Sequence, residues 1–251
     1  MTQAIDEAEK NMSACAQCSV RDAAICQSLS ETDLDALNRI GRRQTIKRGQ
    51  TVLWQGDESL FVGNVIEGVL KLSASTMDGR DQTLGIMFPS DFIGRPFGPT
   101  SNHSVIALTD ARICTFARGS FDEFAQEHPD LEHRLLQRTL TELDRARNWM
   151  LLLGRKSAGE RVAAFLLEMA TRLDAGPRKC ANDDDTAGRD VAPLRFELPF
   201  GRQDIADLLG LTIETVSRQI TKLRDEAVIS TPDRRTIVVL DPDALEIAAG
   251  D

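Results

Sequence analysis

Four cysteines offer the most distinctive chemistry in this sequence. Cys15, Cys18 and Cys26 stand close together in a polar N-terminal stretch, and Cys114 lies in a β-like run. A tetrahedral metal ion or a cubane iron–sulfur cluster takes four ligands, so Cys114 can supply the fourth thiolate. The remaining cysteine, Cys180, stands in a polar loop without a partner and is interpreted as incidental.

Spacing alone leaves three accounts of these cysteines open. A structural zinc ion would use the same thiolates and hold the N-terminal loop permanently. An iron–sulfur cluster would hold the same loop but would be sensitive to oxidants. Unligated thiols are the third account, although three cysteines in so short a polar segment are hard to explain as core filler.

A second set of residues, in the segment 201–224, has the types and spacing of a DNA-binding motif. In the segment 201–224, Gly210 can end a first helix in the left-handed conformation and Thr212 can cap a second one. Four residues are predicted to form the buried face of the second helix: Ile213, Val216, Ile220 and Leu223. The pattern predicts a helix-turn-helix whose second helix enters the major groove.

The exposed side chains of that second helix suit base reading. Arg218 can donate two hydrogen bonds to guanine, Glu214 can accept one from cytosine, and Ser217 can adapt to several base edges. Lys222 and Arg224 follow toward the phosphates. An ordinary helical hairpin with a solvated charged face is the alternative, but the cap, the small Ala206 and the glycine turn all agree with DNA binding.

These sites need elements to position them. From 42 to 117, short β-like runs broken by glycine predict an antiparallel barrel or roll, with Asp78-Gly79 as the strongest hairpin signal. A long helix is predicted to begin near Pro129. Its apolar residues form one continuous stripe: Leu136, Leu140, Leu143, Ala146, Met150 and Leu153. This stripe can pair with a second copy or, alternatively, lie on the β-roll as a core helix.

Composition sets the remaining limits. The chain has 251 residues and a net charge of −9, which disfavours indiscriminate nucleic-acid binding but allows a local basic patch. It has no apolar run of membrane-spanning length and no signal peptide, so we expect a cytoplasmic protein without structural disulfides. The histidines are scattered, and no phosphate loop or nucleophile elbow is present, so we expect no enzyme activity.

The order of these elements resembles the CRP/FNR family of bacterial transcription regulators, and in particular its oxygen-sensing FNR branch of the FnrL/FnrN type. The resemblance rests on three features: the motif ETVSR at 214–218, the motif MLLLGRKSAGERVAAFL at 150–166, and the four cysteines. The resemblance implies an α+β fold with an N-terminal antiparallel, jelly-roll-like β-roll, a long dimerisation helix and a C-terminal winged helix-turn-helix. It divides the chain into a cluster loop (1–30), a sensory β-roll (31–127), the helix (128–155) and the DNA-binding domain (156–251).

The same resemblance implies a function. Cys15, Cys18, Cys26 and Cys114 would hold a [4Fe-4S] cluster that supports a homodimer under low oxygen, and oxygen would convert the cluster and weaken DNA binding. Glu214, Ser217 and Arg218 would read a TTGAT-like half-site of a palindromic operator on double-stranded DNA. The hairpin 76–85 would be a candidate contact with RNA polymerase for an activator.

Three features of the sequence bear on that resemblance. The stretch from Phe92 to about 101 lacks the Gly-Glu pair and the following Arg-Ser or Arg-Thr of cyclic-nucleotide pockets, so we expect no cyclic nucleotide. The interval between Cys18 and Cys26 is longer than in the best-known FNR proteins. Ala146 stands on the helix stripe where some members carry an acidic residue, so the cluster-free protein is expected to dimerise more readily.

Overall fold

The computed structural model describes residue 15 and residues 17–173 and 194–250. The chain divides into two compact units, Met1–Ala146 and Arg147–Asp251, and the boundary falls inside one long helix. The interpretations of 174–193 as a solvated loop and of Cys180 as incidental fall outside the described residues.

The N-terminal cysteine segment packs more firmly than its polar composition suggests. It contains a 3-10 helix, Ile25–Ser28, and is followed by helix α1, Glu31–Ile40, which Ser30 caps. Four apolar side chains of the segment are buried: Val20, Ala24, Ile25 and Leu29. Ile25 and Leu29 belong to one buried cluster, which includes Leu34 of α1, and Val20 and Ala24 belong to a second, which includes Ile66. The segment is therefore held in place by contacts with other parts of the first unit.

Eight strands form the first unit's two sheets: β1 (Gly41–Ile46), β2 (Thr51–Leu53), β3 (Phe61–Glu67), β4 (Leu70–Ser75), β5 (Asp81–Met87), β6 (Phe92–Ile93), β7 (Ser104–Ala107) and β8 (Ala111–Ala117). One sheet has the order β1–β8–β3–β6 and the other β2–β7–β4–β5, and the pairings are antiparallel. Side chains from both sheets, including Val65, Leu70 and Ile113, form a buried core between them. This is the predicted β-roll.

The hairpin between β4 and β5 turns at the predicted place. Gly79 has a φ of 82°, a left-handed conformation that glycine adopts without steric cost. The Asp78 carboxylate pairs with Arg80 at 2.8 Å across the turn. Met77, at the tip, is fully exposed to solvent.

Two helices follow the β-roll, α2 (Arg118–Glu127) and the long α3 (Pro129–Arg155). The start of α3 is anchored, because Leu131 and Leu135 are buried in one cluster with Ile25 and Leu29. The next apolar residues are not buried: Leu136 is 55%, Leu140 51% and Leu143 43% exposed. The alternative of a core helix that buries this stripe on the β-roll is therefore wrong for these three residues.

The second unit contains the C-terminal helices and a small sheet. Its elements are α4 (Ala158–Leu173), β9 (Leu194–Glu197), α5 (Arg202–Leu209), α6 (Ile213–Asp225), β10 (Ile229–Ser230), β11 (Thr236–Val239) and α7 (Pro242–Ala249). The three strands pair antiparallel in the order β10–β11–β9. Phe165 of α4 and Phe200, which precedes α5, are both fully buried and lie with ring centroids 6.0 Å apart.

Among the described residues, none of the helices combines the length and the apolar character that crossing a membrane requires.

Close packing of β3 against β8 requires a glycine at position 63. A Cβ atom built there would lie 2.1 Å from the Cys114 carbonyl oxygen. We expect Gly63→Ala to lower the free energy of unfolding by about 1–3 kcal/mol, because the two strands must move apart. Urea denaturation measures this change.

Gly85→Ala is the matched control, since a Cβ atom added to this strand glycine would have nothing within 4 Å of it. We expect it to change the free energy of unfolding by less than about 0.5 kcal/mol. Equal losses in the two variants would contradict the steric argument.

Candidate cysteine site and nucleic-acid interface

The four cysteines predicted as ligands come together in the first unit. Cys15 and Cys18 lie in turns before the 3-10 helix, Cys26 lies within that helix, and Cys114 lies on β8. All four are free, partly buried thiols that line one pocket. The other lining residues are Val20, Arg21, Ala24, Arg43, Asn64, Ile66 and Phe116.

Local hydrogen bonds shape the segment that brings Cys15 and Cys18 to the pocket. The Cys18 amide donates to the Cys15 carbonyl at 3.2 Å, which closes a turn between the two thiols. The Cys15 thiol donates to the Asn38 side-chain carbonyl at 3.4 Å, and Arg21 pairs with Glu31 at 2.6 Å. The segment is therefore tied to helix α1 as well as to the core.

Burial favours the protonated form of three of these thiols, Cys15, Cys26 and Cys114. Burial, reinforced by repulsion from the other cysteines when these are ionised, raises the pKa of Cys26 to about 12 and that of Cys114 to about 12. The pKa of Cys15 is also raised, by burial first and then by Cys18. A metal that binds here must therefore displace protons, and its positive charge would stabilise the thiolates.

The four thiols are the donors available to either a zinc ion or an iron–sulfur cluster. Within the described residues, no three His, Cys, Asp or Glu side chains converge closely enough to hold a single metal ion. All four thiols line one pocket, and four thiolates can hold either a tetrahedral zinc ion or a cubane cluster. The buried Asn64 Oδ1 accepts no hydrogen bond from the described residues. The four thiols supply the ligand set that a thiolate-held cluster requires.

The helix-turn-helix is formed by α5 and α6 in the second unit. Ile205, Ala206, Leu208 and Leu209 of α5 are all buried. Gly210 ends α5 with a φ of 62°, and the Thr212 hydroxyl caps α6 by accepting a hydrogen bond from the Thr215 amide at 3.3 Å. These caps satisfy backbone groups that the turn would otherwise leave unpaired.

The face of α6 divides as the sequence predicts, with one exception. Val216, Ile220 and Leu223 are buried, but Ile213 is 38% exposed because it stands in the first turn of the helix. The three predicted reading residues are exposed on one side: Glu214, Ser217 and Arg218. Hydrogen bonds from the Glu214 backbone and from Thr212 lower the pKa of the Glu214 carboxyl, which keeps it a hydrogen-bond acceptor.

Arg161 positions the end of the first helix, a role that sequence reasoning missed. Its guanidinium donates to three backbone carbonyls: Leu153 at 2.7 Å, Lys156 at 2.9 Å and Leu209 at 3.1 Å. These carbonyls lie at the C-terminal ends of α3 and α5, where the last carbonyls of a helix have no amide donor within the helix. No spacing rule in the sequence indicates that one side chain satisfies all three.

Two further arginines were missed, at the tip of the hairpin between β10 and β11. Arg234 and Arg235 are exposed there, beside Asp233. The Asp233 carboxylate accepts from the backbone amides of Arg235 at 2.8 Å and Thr236 at 2.7 Å, and so fixes the tip. An arginine pair directly after a Pro-Asp turn was the available signal for this exposed basic tip.

Comparison with known proteins agrees with both halves of this description. A cyclic nucleotide-binding domain model matches residues 43–128, and a Crp-like helix-turn-helix model matches residues 160–247. The chain is 41% identical to the transcriptional activator protein FnrL of Cereibacter sphaeroides, over 94% of this chain and 92% of that protein. It belongs to the CRP/FNR family of transcription regulators.

Other members of the family agree with this assignment. The nitrogen fixation regulation protein FixK of Bradyrhizobium diazoefficiens is 40% identical over 96% of both chains. The solved structure of FixK2 from Bradyrhizobium japonicum superposes with a TM-score of 0.72 at 30% identity, covering 83% of this chain and 97% of that one. The predicted fold class is confirmed. The prediction that this CRP/FNR regulator is not an enzyme is confirmed by its family, and DNA binding follows from its helix-turn-helix.

The buried thiols of this CRP/FNR regulator should resist alkylation in the metal-free protein. A pKa of about 12 in place of the ordinary 9.0 leaves Cys26 and Cys114 protonated at pH 8. We expect iodoacetamide to modify them about a thousandfold more slowly than in the urea-unfolded chain, with the rate rising as the pH increases toward 12. Mass spectrometry of the two peptides measures both rates, and equal rates in the folded and unfolded chain would contradict the burial.

Base reading and phosphate contact can be separated on helix α6. Arg218→Ala should cost about 1–3 kcal/mol of binding to the preferred operator and relax specificity at one base pair. Lys222→Ala, the matched control on the same helix, should weaken binding to all sequences alike and reduce the salt dependence. Fluorescence anisotropy with operator and scrambled duplexes distinguishes the two, and an equal loss on both duplexes for Arg218→Ala would contradict base reading.

Proposed function

We propose that this CRP/FNR regulator is an oxygen-responsive transcriptional activator. In this proposal Cys15, Cys18, Cys26 and Cys114 hold a [4Fe-4S] cluster, and a homodimer binds palindromic TTGAT-like operators under low oxygen. FnrL of Cereibacter sphaeroides and Anr of Pseudomonas protegens, which is 30% identical over the whole chain, are named as transcriptional activators. These names support activation as the outcome of DNA binding.

One observation carries the proposal. Thiols from the N-terminal turns, the 3-10 helix and strand β8 line a single pocket, although Cys114 is far from the others in sequence. Bringing four cysteines together in this way serves ligation far better than packing, since a cysteine in a core needs no other cysteine beside it. A bound cluster would supply an iron–sulfur centre that oxygen can alter.

The cysteine segment is connected directly to the start of α3. Ile25 and Leu29 flank Cys26 and pack in the cluster that contains Leu131 and Leu135. The side chain of Gln27 accepts a hydrogen bond from Arg134 of α3. A change in the position of Cys26 therefore acts on the first turns of the helix through both apolar and polar contacts.

Dimerisation and operator binding would follow from the exposed stripe of α3. Leu136, Leu140 and Leu143 are large apolar residues that face solvent in the single chain, and Ala146 is exposed on the same helix. Covering them with a second copy would remove apolar surface from water. Two linked recognition helices can reach half-sites one turn of DNA apart, which one helix cannot.

The β-roll supports two further parts of the proposal. The hairpin 76–85, with Met77 fully exposed at its tip, is the surface proposed for RNA polymerase. No cyclic nucleotide is proposed as the effector, because the stretch 92–101 lacks the acidic and Arg-Ser partners of a phosphate pocket. Within that stretch the Arg95 side chain packs against Gly98, whose added Cβ would lie 2.7 Å from Arg95 Cδ.

The test of this function is anaerobic purification followed by a visible spectrum with iron and sulfide assays. We expect a brown protein with about four irons per chain, as a cubane requires, that bleaches in air and then loses operator affinity. Cys114→Ser should be colourless, whereas Cys180→Ser, the control, should match the wild type. A colourless wild type holding one zinc and binding DNA equally in air would contradict oxygen sensing.

Dimerisation through α3 predicts the effect of a charge on the stripe. Leu140→Glu should shift the reduced, anaerobic protein from dimer to monomer, because the carboxylate would lose its hydration at the seam. Sedimentation velocity measures the shift. Met77→Glu, which places the same charge at a fully exposed position off the stripe, should remain dimeric, and a dimeric Leu140→Glu protein would show that the seam lies elsewhere.

A further inference from the structure

Asn64 is the most unusual polar residue of the cysteine pocket. It lies in the middle of strand β3, it is 2% exposed, and its surroundings include the apolar Ile66 and Phe116. A buried carboxamide normally satisfies both its donors and its acceptor, because leaving one unpaired costs about 1–3 kcal/mol. Its Oδ1 accepts no hydrogen bond from the described residues.

The strand register places this side chain beside the cysteines. Asn64 pairs with Cys114 of β8, and Cys114 pairs in turn with Arg43 of β1. Directly paired residues of antiparallel strands project from the same face of a sheet, so the three form one row across it. All three line the pocket.

The donor group of Asn64 is near a second cysteine from a different element. Its Nδ2 lies 4.0 Å from Cys26 Sγ, at the outer limit for a hydrogen bond to sulfur. A protonated thiol is a weak acceptor, whereas a thiolate accepts an N–H much more strongly. The carboxamide therefore has little to bind in the metal-free pocket but would have a strong partner once Cys26 is a thiolate.

We propose that Asn64 is a positioning residue for the iron–sulfur site, donating an N–H hydrogen bond to the Cys26 thiolate when the cluster is bound. This inference rests on the proposed [4Fe-4S] function. Hydrogen bonds to the sulfurs of a cluster help to set its reduction potential, and outer-shell partners raise metal affinity. Because the amide is neutral, Asn64 stabilises the thiolate without adding a charge to the buried site.

The test compares anaerobically purified Asn64→Leu and Asn64→Thr with the wild type. Leucine has a similar size and no donor, so the loss of iron to a chelator under nitrogen should be about tenfold faster. The midpoint reduction potential should fall, because the donor favours the more negative reduced state. Threonine suits a strand and keeps a hydroxyl donor, so its values should lie closer to those of the wild type.

Ser59→Ala is the matched control, since Ser59 is fully buried, its Oγ has no partner in the described residues, and it does not line the pocket. It should leave both readouts unchanged. Equal iron loss in the Leu and Thr variants would overturn the inference in favour of a packing role. Wild-type values in Asn64→Leu would overturn it while leaving the cluster intact, whereas a wild type without iron would overturn both the inference and the proposed function.

Discussion

The packing of one short helix against the start of another is the contact on which the rest of this molecule depends. Ile25 and Leu29, on either side of Cys26, share a buried cluster with Leu131 and Leu135 of α3. The cysteine pocket and the start of α3 are therefore neighbours through side chains. The proposed coupling between Cys26 and the start of α3 runs through these contacts, because a close-packed interior transmits small displacements.

The pocket combines groups that are costly to bury separately. Protonated thiols and a carboxamide lie among apolar residues, and burial raises the pKa of Cys26 to about 12. A positively charged metal group would instead stabilise the deprotonated thiolates. The Arg43 guanidinium and the Asn64 carboxamide would then also favour the thiolate form. In the proposed function, ligation would therefore offset the cost of burying these groups.

The acidic total charge of the chain and its DNA binding are compatible because charge is distributed locally. Helix α6 presents Arg218, Lys222 and Arg224 beside a single acidic residue of its first turn, and Arg234 and Arg235 stand at the wing tip. Electrostatic attraction to phosphates falls off within about a Debye length, some 8–10 Å, so the local patch governs association. The remaining negative charge opposes non-specific attachment.

The sequence alone determined the elements whose signals are local. Glycine at 79 and 210, the Thr212 cap and the spacing of the α3 stripe were enough to predict the hairpin, the helix-turn-helix and the long helix. Contacts between residues distant in sequence were decided only by the tertiary structure: the burial of Ile25, the three carbonyls held by Arg161, and the Asn64–Cys114 row. Such contacts depend on strand register and on which faces meet in three dimensions, and neither is encoded in the period of any single segment.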